Sequence, residues 1–471
     1  MSFVEFRFLW FFLLLFIVYW TMRDNTARKV WLLLCSYVFY GAWNWKFTFL
    51  LLGSTTVDYI VGRMLARCKS RGWRRLWIAT SVCANLGVLG FFKYFNFFVS
   101  SASGFLAWLG LPTSVSTLNI ILPVGISFYT FHSMSYTIDV YRGRQRAISN
   151  FADLALFISF FPPLVAGPIV RATTFLPQLV SARKFSDVDV RGAVILFLAG
   201  FIKKACIADA VAPIVDRYFA QPANFTPTSA WIGVLFYAIQ IYCDFSGYTD
   251  MAIAAARLLG YQLPINFQFP YFAQNVSDFW RRWHISLSSW LRDYLYIPLG
   301  GNRGPRWFVY RNIMITMLLG GLWHGAAWTF CYLGRFTWNR AARPSRVDAL
   351  NSQSRVGHPG DALACLADYR VFGVRCLDLL PCARSQSLGD NTEAVRAFSR
   401  QWQRTLPPMD AFGRRDTGLH PLAQFSPMVC RAMATVAGAG LRSGLRLHCC
   451  RRAFICSAAL HAVHLFSILN P

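Results

Sequence analysis

Charged residues are scarce in this 471-residue sequence. Asp, Glu, Lys and Arg together make up 14% of it, while 55% is hydrophobic. Soluble globular domains carry nearer a quarter charged residues, so the composition excludes an ordinary soluble enzyme. The apolar residues come in blocks, and residues 8–22 and 313–330 contain no charge. Because a helix needs about 20 apolar residues, with a range of about 17–25, to cross a bilayer, we expect an all-α, polytopic membrane protein.

Acidic residues are much fewer than basic residues in the sequence. There are 21 Asp and Glu against 47 Lys and Arg, a formal net charge of +26. Nucleic-acid binding would use such a charge, but the basic residues lie in short loops between apolar segments, as on the cytoplasmic side of membrane proteins. We therefore expect membrane lipid and no nucleic acid as partner. The two clearest loops hold Arg63, Arg67, Lys69, Arg71, Arg74 and Arg75, and Arg142, Arg144 and Arg146.

The motifs of several enzyme classes are missing. The sequence contains no HExxH metal motif, no GxSxG nucleophile elbow and no P-loop. The five cysteines before residue 331 show no CxxC spacing. We therefore predict no metal site. The N-terminus has neither the basic start nor the small-residue cleavage site of a secretory signal, so its apolar run is predicted to be a retained helix.

The apolar segments predict a series of helices. They fall near residues 6–22, 30–45, 46–62, 76–99, 118–133, 151–170, 190–207, 228–243, 248–260 and 312–330. Prolines should break the helix at Phe160-Phe161-Pro162-Pro163, and Pro123 with Gly125 should make the segment 118–133 kinked or re-entrant. The segment 263–310 is too polar to face lipid and too aromatic for a flexible loop. It predicts short helices packed inside the protein or lining a cavity.

Histidine is rare in the apolar part of the chain. Residues 1–330 contain only His132, His284 and His324. His324 lies in GGLWHGAAW, within a charge-free segment, where an ionisable residue is a hypothesis of a functional site. Burial disfavours an imidazolium, so a buried neutral ring could accept a proton from a hydroxyl. A histidine that hydrogen-bonds between helices is the alternative.

Charged residues accompany two further motifs. Arg281 and Arg282 precede His284, and guanidinium groups suit phosphate; a juxtamembrane anchor would use the same residues. Asp244 and Asp250 lie in YCDFSGYTD after a long uncharged stretch. These carboxylates could orient a histidine, but a structural ion pair is the favoured interpretation.

Several motifs together resemble the membrane-bound O-acyltransferase superfamily, most of all its branch that acetylates alginate. They follow the family's order and cover nearly all of residues 1–330. The most specific are DFWRRWHISLSSWLRDYLYIPLGGNRG and GGLWHG; the others are LPVGISFYTFHSMSYTIDVYRG at 122–143, FFPPLVAGPIVR at 160–171, GFIKKACIADAVA at 200–212 and YCDFSGYTDMAI at 242–253.

The resemblance implies a fold and an active site. The fold would be a ring of tilted helices around a transmembrane tunnel. His324 would be the catalytic base and His284 the second active-site position, and we expect Arg281, Arg282 or Arg303 to meet the donor's phosphates. No cofactor would be bound permanently. The implied donor is cytoplasmic acetyl-CoA, and the acceptor is a periplasmic exopolysaccharide or a partner acetyltransferase at the bacterial inner membrane.

The sequence is also compatible with other functions. The acceptor could be cellulose or peptidoglycan, and similar sequences move D-alanyl groups onto teichoic acid. A transporter or a non-catalytic scaffold of polysaccharide export is the alternative outside the enzyme class. A proton-coupled transporter would more often show carboxylates within the membrane, so the two histidines favour an enzyme.

Residues 331–471 differ in composition from the rest. They hold 18 Arg and no Lys, 8 of the 13 Cys and 5 of the 8 His. An extra domain, a disordered basic tail and an altered reading frame would each explain this. Codons for Cys331-Tyr332-Leu333-Gly334-Arg335-Phe336-Thr337-Trp338, taken one base later, can encode Ala-Ile-Trp-Gly-Ala-Leu-His-Gly, and the family continues after WHG with a segment resembling IWGALHG. We therefore expect a membrane domain at 1–330, incomplete at its C-terminal end, and a frameshifted or disordered tail.

Overall fold

The structure is a computed structural model that describes residues 1–111, 117–221 and 224–328. This part of the chain is helical, and no β-strand occurs in it. The predicted all-α class is therefore confirmed over these residues. The described residues all belong to one compact unit. The predicted tail 331–471 lies outside them.

The N-terminal part forms five helices. A π turn at Gly90–Tyr94 joins the fourth helix to the fifth. Two stretches, Lys46–Arg67 and Arg71–Trp108, are long and apolar enough to cross a membrane, and Phe6–Thr21 is a shorter apolar helix. The helices are α1 Phe6–Thr21, α2 Asn25–Gly41, α3 Lys46–Arg67, α4 Arg71–Leu89 and α5 Phe95–Trp108.

The remaining helices vary widely in length. The list is α6 Ile126–Tyr141, α7 Phe151–Ser159, α8 Phe161–Leu164, α9 Ala172–Val180, α10 Val190–Phe201, α11 Asp209–Ala220, α12 Pro227–Leu258, α13 Val276–Arg282, α14 Ile285–Leu291 and α15 Arg306–His324. Further π turns follow α10 at Ile202–Ala208 and α14 at Arg292–Tyr296, and 3₁₀ turns lie at Phe185–Asp187 and Pro270–Phe272.

The proline break and the short helices of 263–310 are confirmed, but the bounds of three predicted helices are wrong. The predicted helix 118–133 begins only at Ile126. Gly125 precedes it with φ 76° and lies so close to α8 that a Cβ there would be 2.5 Å from Leu164 O. Only glycine satisfies both conditions. The predicted helices 228–243 and 248–260 are one continuous helix, α12.

Ion pairs explain why α12 continues through its acidic residues. Lys203 Nζ lies 2.7 Å from Asp250 Oδ2, and Lys204 Nζ lies 2.6 Å from Asp244 Oδ1. Both lysines come from the π turn after α10, which packs against α12. The predicted structural ion pairing of the two aspartates is therefore confirmed, with lysine as the partner.

Helices α10 and α12 also meet backbone to backbone. A Cβ built on Gly200 would lie 2.6 Å from Gly247 O, and a Cβ built on Gly247 would lie 2.6 Å from Gly200 O. Small residues allow such an approach between membrane helices. This contact brings the lysines of the π turn within reach of the carboxylates on α12.

A buried carboxylate joins α3 to its neighbours. Asp58 is fully buried and accepts hydrogen bonds from Ser81 Oγ at 2.6 Å and from Asn85 Nδ2 at 3.0 Å, both on α4. Ser81 also contacts Thr137 Oγ1 of α6 at 2.9 Å. The network satisfies a polar group that would be costly to bury alone, and it ties three helices together.

Candidate active site

The structure brings the two predicted active-site histidines together. His324 is the last residue of α15, and His284 lies between α13 and α14. The centroids of their rings are 6.4 Å apart. Residues 40 positions apart in the sequence therefore face one small volume, in which a single reacting group could contact both.

His284 has an unusual backbone conformation. Its φ of 46° and ψ of 53° lie in the left-handed region, which non-glycine residues rarely adopt and which costs about 1–3 kcal/mol. Two hydrogen bonds hold it there: Ile285 N donates to Asn266 O at 2.9 Å, and Ser288 N donates to His284 O at 3.0 Å. This conformation turns the chain sharply between α13 and α14 and leaves the imidazole 1% exposed.

Asn266 determines which nitrogen of His284 carries the proton. Asn266 Oδ1 accepts from Ser286 N at 3.2 Å and from Ser286 Oγ at 2.7 Å, which identifies this atom as the amide oxygen. Its third contact is His284 Nδ1 at 3.3 Å. Because an amide oxygen can only accept, Nδ1 is the donor in this bond. The neutral ring then carries its lone pair on Nε2.

Aromatic side chains surround the free nitrogen of His284. Nε2 is buried and has no hydrogen-bond partner among the described residues. Phe245 and Trp323 lie edge-to-face to the His284 ring, with centroids 4.8 and 5.9 Å away, and Phe128 stacks on it at 6.5 Å. A buried polar atom without a partner is costly, and Nε2 is free to accept a hydrogen bond.

His324 is exposed, which corrects the expectation that it is buried. The reason is its position at the end of α15: the chain leaves the helix at Gly325, with φ −160° and ψ 150°. Trp323 before it is buried, at 8% exposure. The described residues end four positions later, at Trp328, and among them the imidazole has an open side and a backbone held by α15.

An aromatic stack fixes the backbone of the WHG motif. The Trp323 ring stacks on Phe131 at 5.3 Å, and Phe131 stacks on Trp290 at 4.0 Å, both with interplanar angles of 13°. Trp290 Nε1 also donates to Phe131 O at 3.3 Å. Because the stack joins α15, α6 and α14, it holds His324 at a constant position relative to the short helix that follows His284.

Two residues of the first π turn cap the C-terminus of α15. Tyr94 OH donates to Leu322 O at 2.8 Å, and Lys93 Nζ donates to Trp323 O in a short hydrogen bond. Lys93 also donates to Ser127 Oγ at 3.1 Å. The last carbonyls of a helix lack intrahelical donors, and cations are favoured there. Lys93 thus binds the carbonyl next to His324.

The arginines predicted for donor phosphates lie in two different places. Arg281 and Arg282 end α13, where Arg281 is exposed and Arg282 Nε bonds Asp278 Oδ1 at 2.9 Å. That hydrogen bond holds the pKa of Asp278 below its usual range. Arg303 is exposed in the turn before α15, where its N–H donates to Gly300 O at 3.2 Å. Arg282 already has a carboxylate partner, while Arg281 and Arg303 extend to solvent.

The third histidine of the apolar part has a structural role. His132 is buried in α6, and its Nε2 accepts from Val170 N at 3.0 Å. It thereby fixes the non-helical segment before α9. Over the part of the chain that the structure describes, no three His, Cys, Asp or Glu residues lie together as metal ligands would.

Three residues of the site escaped the sequence analysis: Asn266, Ser286 and Lys93. Each is a polar residue among apolar or aromatic ones, in PINFQF, WHISL and GFFKY. That contrast is the only local signal they give. It does not show their partners, because Lys93 contacts a carbonyl 230 residues away and Asn266 contacts His284 18 residues away.

Comparison with known proteins identifies the class. The model of the MBOAT, membrane-bound O-acyltransferase, family matches residues 5–340, and the chain belongs to this family. It is 45% identical over 346 residues to the probable alginate O-acetylase AlgI of Azotobacter vinelandii, covering 73% of this chain and 68% of that protein. Identity is 45% over 329 residues to the AlgI protein of Pseudomonas aeruginosa, covering 69% and 62%. It is 39% over 338 residues to the peptidoglycan O-acetyltransferase of Helicobacter pylori, covering 66% and 63%.

The family confirms the resemblance noted in the sequence. The chain is a membrane protein of an acyltransferase family, so the predicted class of chemistry is confirmed at that level. It spans 62–68% of the length of the three relatives above. The individual roles of the histidines and arginines stay predictions.

Proposed function

We propose that this chain is a membrane O-acetyltransferase that moves acetyl groups from cytoplasmic acetyl-CoA to hydroxyls of a periplasmic exopolysaccharide such as alginate, directly or through a partner acetyltransferase. Membership of the family supports acyl transfer to oxygen. The names of the alginate relatives support acetyl as the group and a polysaccharide as the acceptor. The observation that carries the proposal is the pairing of an exposed His324 with a buried His284, with ring centroids 6.4 Å apart.

His324 acts as the general base in this proposal. The acceptor hydroxyl attacks the thioester carbonyl carbon, a C–O bond forms, and the imidazole takes the hydroxyl proton. The C–S bond then breaks, and the leaving thiolate receives that proton from the imidazolium. A base within hydrogen-bond reach contributes about 10²–10⁴-fold to such a step. The exposed ring at the end of α15 supports this role because a substrate can approach it.

His284 positions the acceptor in this proposal. Its Nδ1 donates to Asn266, so Nε2 can accept a hydrogen bond but cannot donate one in the neutral ring. Because the attacking hydroxyl has a single proton, which His324 takes, Nε2 of His284 would accept from a neighbouring hydroxyl of the acceptor rather than stabilise an oxyanion. The left-handed backbone and the buried surroundings keep the nitrogen in place, which orients the hydroxyl before the reaction.

The placement of the enzyme follows from its two substrates. We propose a multi-pass protein of the bacterial inner membrane, with a ring of helices around a tunnel. A donor arriving from the cytoplasm and a hydroxyl from the periplasm would meet at the histidine pair, and neither would cross the bilayer. The apolar helices and the basic loops support this arrangement. Arg281, Arg282 and Arg303 stay the sequence-based prediction for the donor's phosphates.

Peptidoglycan is the second candidate acceptor. The Helicobacter pylori relative is named a peptidoglycan O-acetyltransferase, at 39% identity. Cellulose and teichoic acid remain as more distant acceptors, and a transporter or scaffold as a non-catalytic alternative. Analysis of ester-linked acetyl on each purified cell-envelope polymer, with and without the gene, distinguishes these possibilities.

The test of catalysis is His324→Ala in the full chain. We expect polymer acetylation to fall to background while the protein stays in the membrane, because the base is lost. Leu319→Ala is the matched control: it lies on the same helix and is 46% exposed, and it should keep normal acetylation. Normal acetyl content in His324→Ala would overturn the catalytic assignment and favour a scaffold.

The end of the membrane domain is a separate proposal. We propose that residues 331–471 result from a shifted reading frame. The composition of this segment supports it, and the family match ends soon after the proposed point, at residue 340. Resequencing the gene across codon 331 should show a one-base insertion or deletion, and an unshifted read would contradict the idea.

A further inference from the structure

Four arginines gather at the end of the segment that follows His284. Two of them, Arg142 and Arg171, place their guanidinium carbons 5.4 and 5.6 Å from the centroid of the Tyr294 ring. Arg171 Nη1 lies 2.7 Å from Asp293 Oδ2, and Arg142 Nη1 donates to Asp293 O at 3.1 Å. We call Arg142, Arg144, Arg171 and Arg292 the arginine cluster.

The arginine cluster has more positive charge than its acidic neighbours balance. Arg292 Nε bonds Asp293 Oδ1 at 2.7 Å, and Arg144 interacts electrostatically with Asp139. Asp139 is also held by Tyr294 OH at 2.7 Å. Four guanidinium groups thus face two carboxylates, which leaves an excess of two positive charges. Arg144 and Arg292 are exposed while the other two are half-buried, so an anion could approach from solvent.

The cluster is connected to the histidine pair by rigid structure. Tyr294 follows His284 by ten residues, which is about 15 Å of helix. The Tyr294 ring lies 5.0 Å from Trp290, and Trp290 belongs to the aromatic stack that holds Trp323. A long, flexible donor bound by phosphates at the cluster could therefore place its other end at the histidines. The pantetheine arm of a CoA thioester has a length of this order.

The basic loops place the cluster on one side of the membrane. Arg74 donates from Nη1 to Leu65 O at 2.6 Å and from Nη2 to Tyr141 O at 2.7 Å. It thereby joins the loop between α3 and α4 to the end of α6, just before Arg142. Loops rich in arginine and lysine face the cytoplasm, which is where a nucleotide-bearing acyl donor is found.

We propose that the arginine cluster is a phosphate-binding subsite for the acyl donor. The inference rests on the proposed function and competes with the sequence-based assignment of the phosphates to Arg281, Arg282 and Arg303, of which Arg282 already pairs with Asp278. Guanidinium groups bind phosphate oxygens in a bidentate manner. An anionic lipid headgroup offers the same chemistry, but the aromatic link to the histidines favours the donor.

The test measures binding apart from catalysis. Adenosine 3′,5′-diphosphate, which carries donor phosphates but no thioester, is titrated into the purified full-length protein by calorimetry. We expect Arg144→Gln and Arg292→Gln each to weaken binding by about tenfold, because each removes a charged hydrogen bond. Both residues are exposed, so the variants should fold. Arg191→Gln, an exposed arginine on α10, is the matched control and should bind as the wild type does.

Kinetics and lipid composition separate the sources of phosphate. In the same variants, KM for acetyl-CoA should rise about tenfold, while KM for acetyl-pantetheine, which lacks the nucleotide, should not change. Equal effects on both donors, or unchanged binding, would overturn the subsite. The subsite would also be overturned if only Arg281→Gln or Arg303→Gln weakened binding. The same holds if the variants had an effect only in vesicles that contain phosphatidylglycerol. Binding without any acetyl transfer by the wild type would instead contradict the proposed function.

Discussion

Asn266 offers the sharpest test of how the site is organised. Its amide oxygen accepts from His284 Nδ1 at 3.3 Å, from Ser286 N at 3.2 Å and from Ser286 Oγ at 2.7 Å. Asn266→Ala removes the acceptor and leaves these buried donors without a partner. A buried donor left unsatisfied costs about 1–3 kcal/mol. When this free energy adds to the activation free energy of acetyl transfer, kcat falls about 5- to 150-fold.

The assay is acetyl transfer from acetyl-CoA in isolated membranes, corrected for protein amount. We expect a lower kcat with an unchanged KM for the donor, because Asn266 orients the acceptor side of the site. Asn266→Asp keeps an oxygen acceptor and should recover part of the lost rate. A folded Asn266→Ala protein with wild-type kcat would refute the argument that this amide sets the tautomer of His284.

Two further predictions concern helix ends and helix contacts. Lys93→Met removes the donor to Trp323 O, so we expect kcat to drop about tenfold with normal donor binding; an unchanged rate would mean that this cap does not position His324. Gly200→Ala places a Cβ 2.6 Å from Gly247 O and should destabilise the protein by about 1–3 kcal/mol, seen as a lower Tm in detergent. Gly53→Ala, where nothing lies within 4 Å, should leave Tm unchanged or higher, and equal losses in both variants would contradict the packing argument.

The sequence predicted the features that depend on local composition. Apolar blocks placed α1 and α3 at their observed starts, and the prolines correctly ended α7 before Pro162. The Trp-His motifs identified both histidines. Those features arise from residues that lie next to one another, so a single sequence contains them.

The features that the sequence did not predict depend on distant residues. Asp244 and Asp250 interrupt the apolar pattern of α12, so the sequence predicts two helices there; their partners Lys204 and Lys203 lie 40 and 47 residues earlier. The exposure of His324 depends on where α15 ends, which an apolar run does not define. The tautomer of His284 depends on Asn266, whose amide is oriented by Ser286.

The three π turns have a consequence for how this chain can vary. Each adds one residue to a helical turn, and such insertions often mark functional positions. Each also contains a cation with a named partner: Lys93 in the first, Lys203 and Lys204 in the second and Arg292 in the third. Deleting one residue from such a turn would rotate everything beyond it by about 100°. Length in these helices is therefore constrained more tightly than side-chain identity, and single-residue deletions there should be tolerated less well than most substitutions.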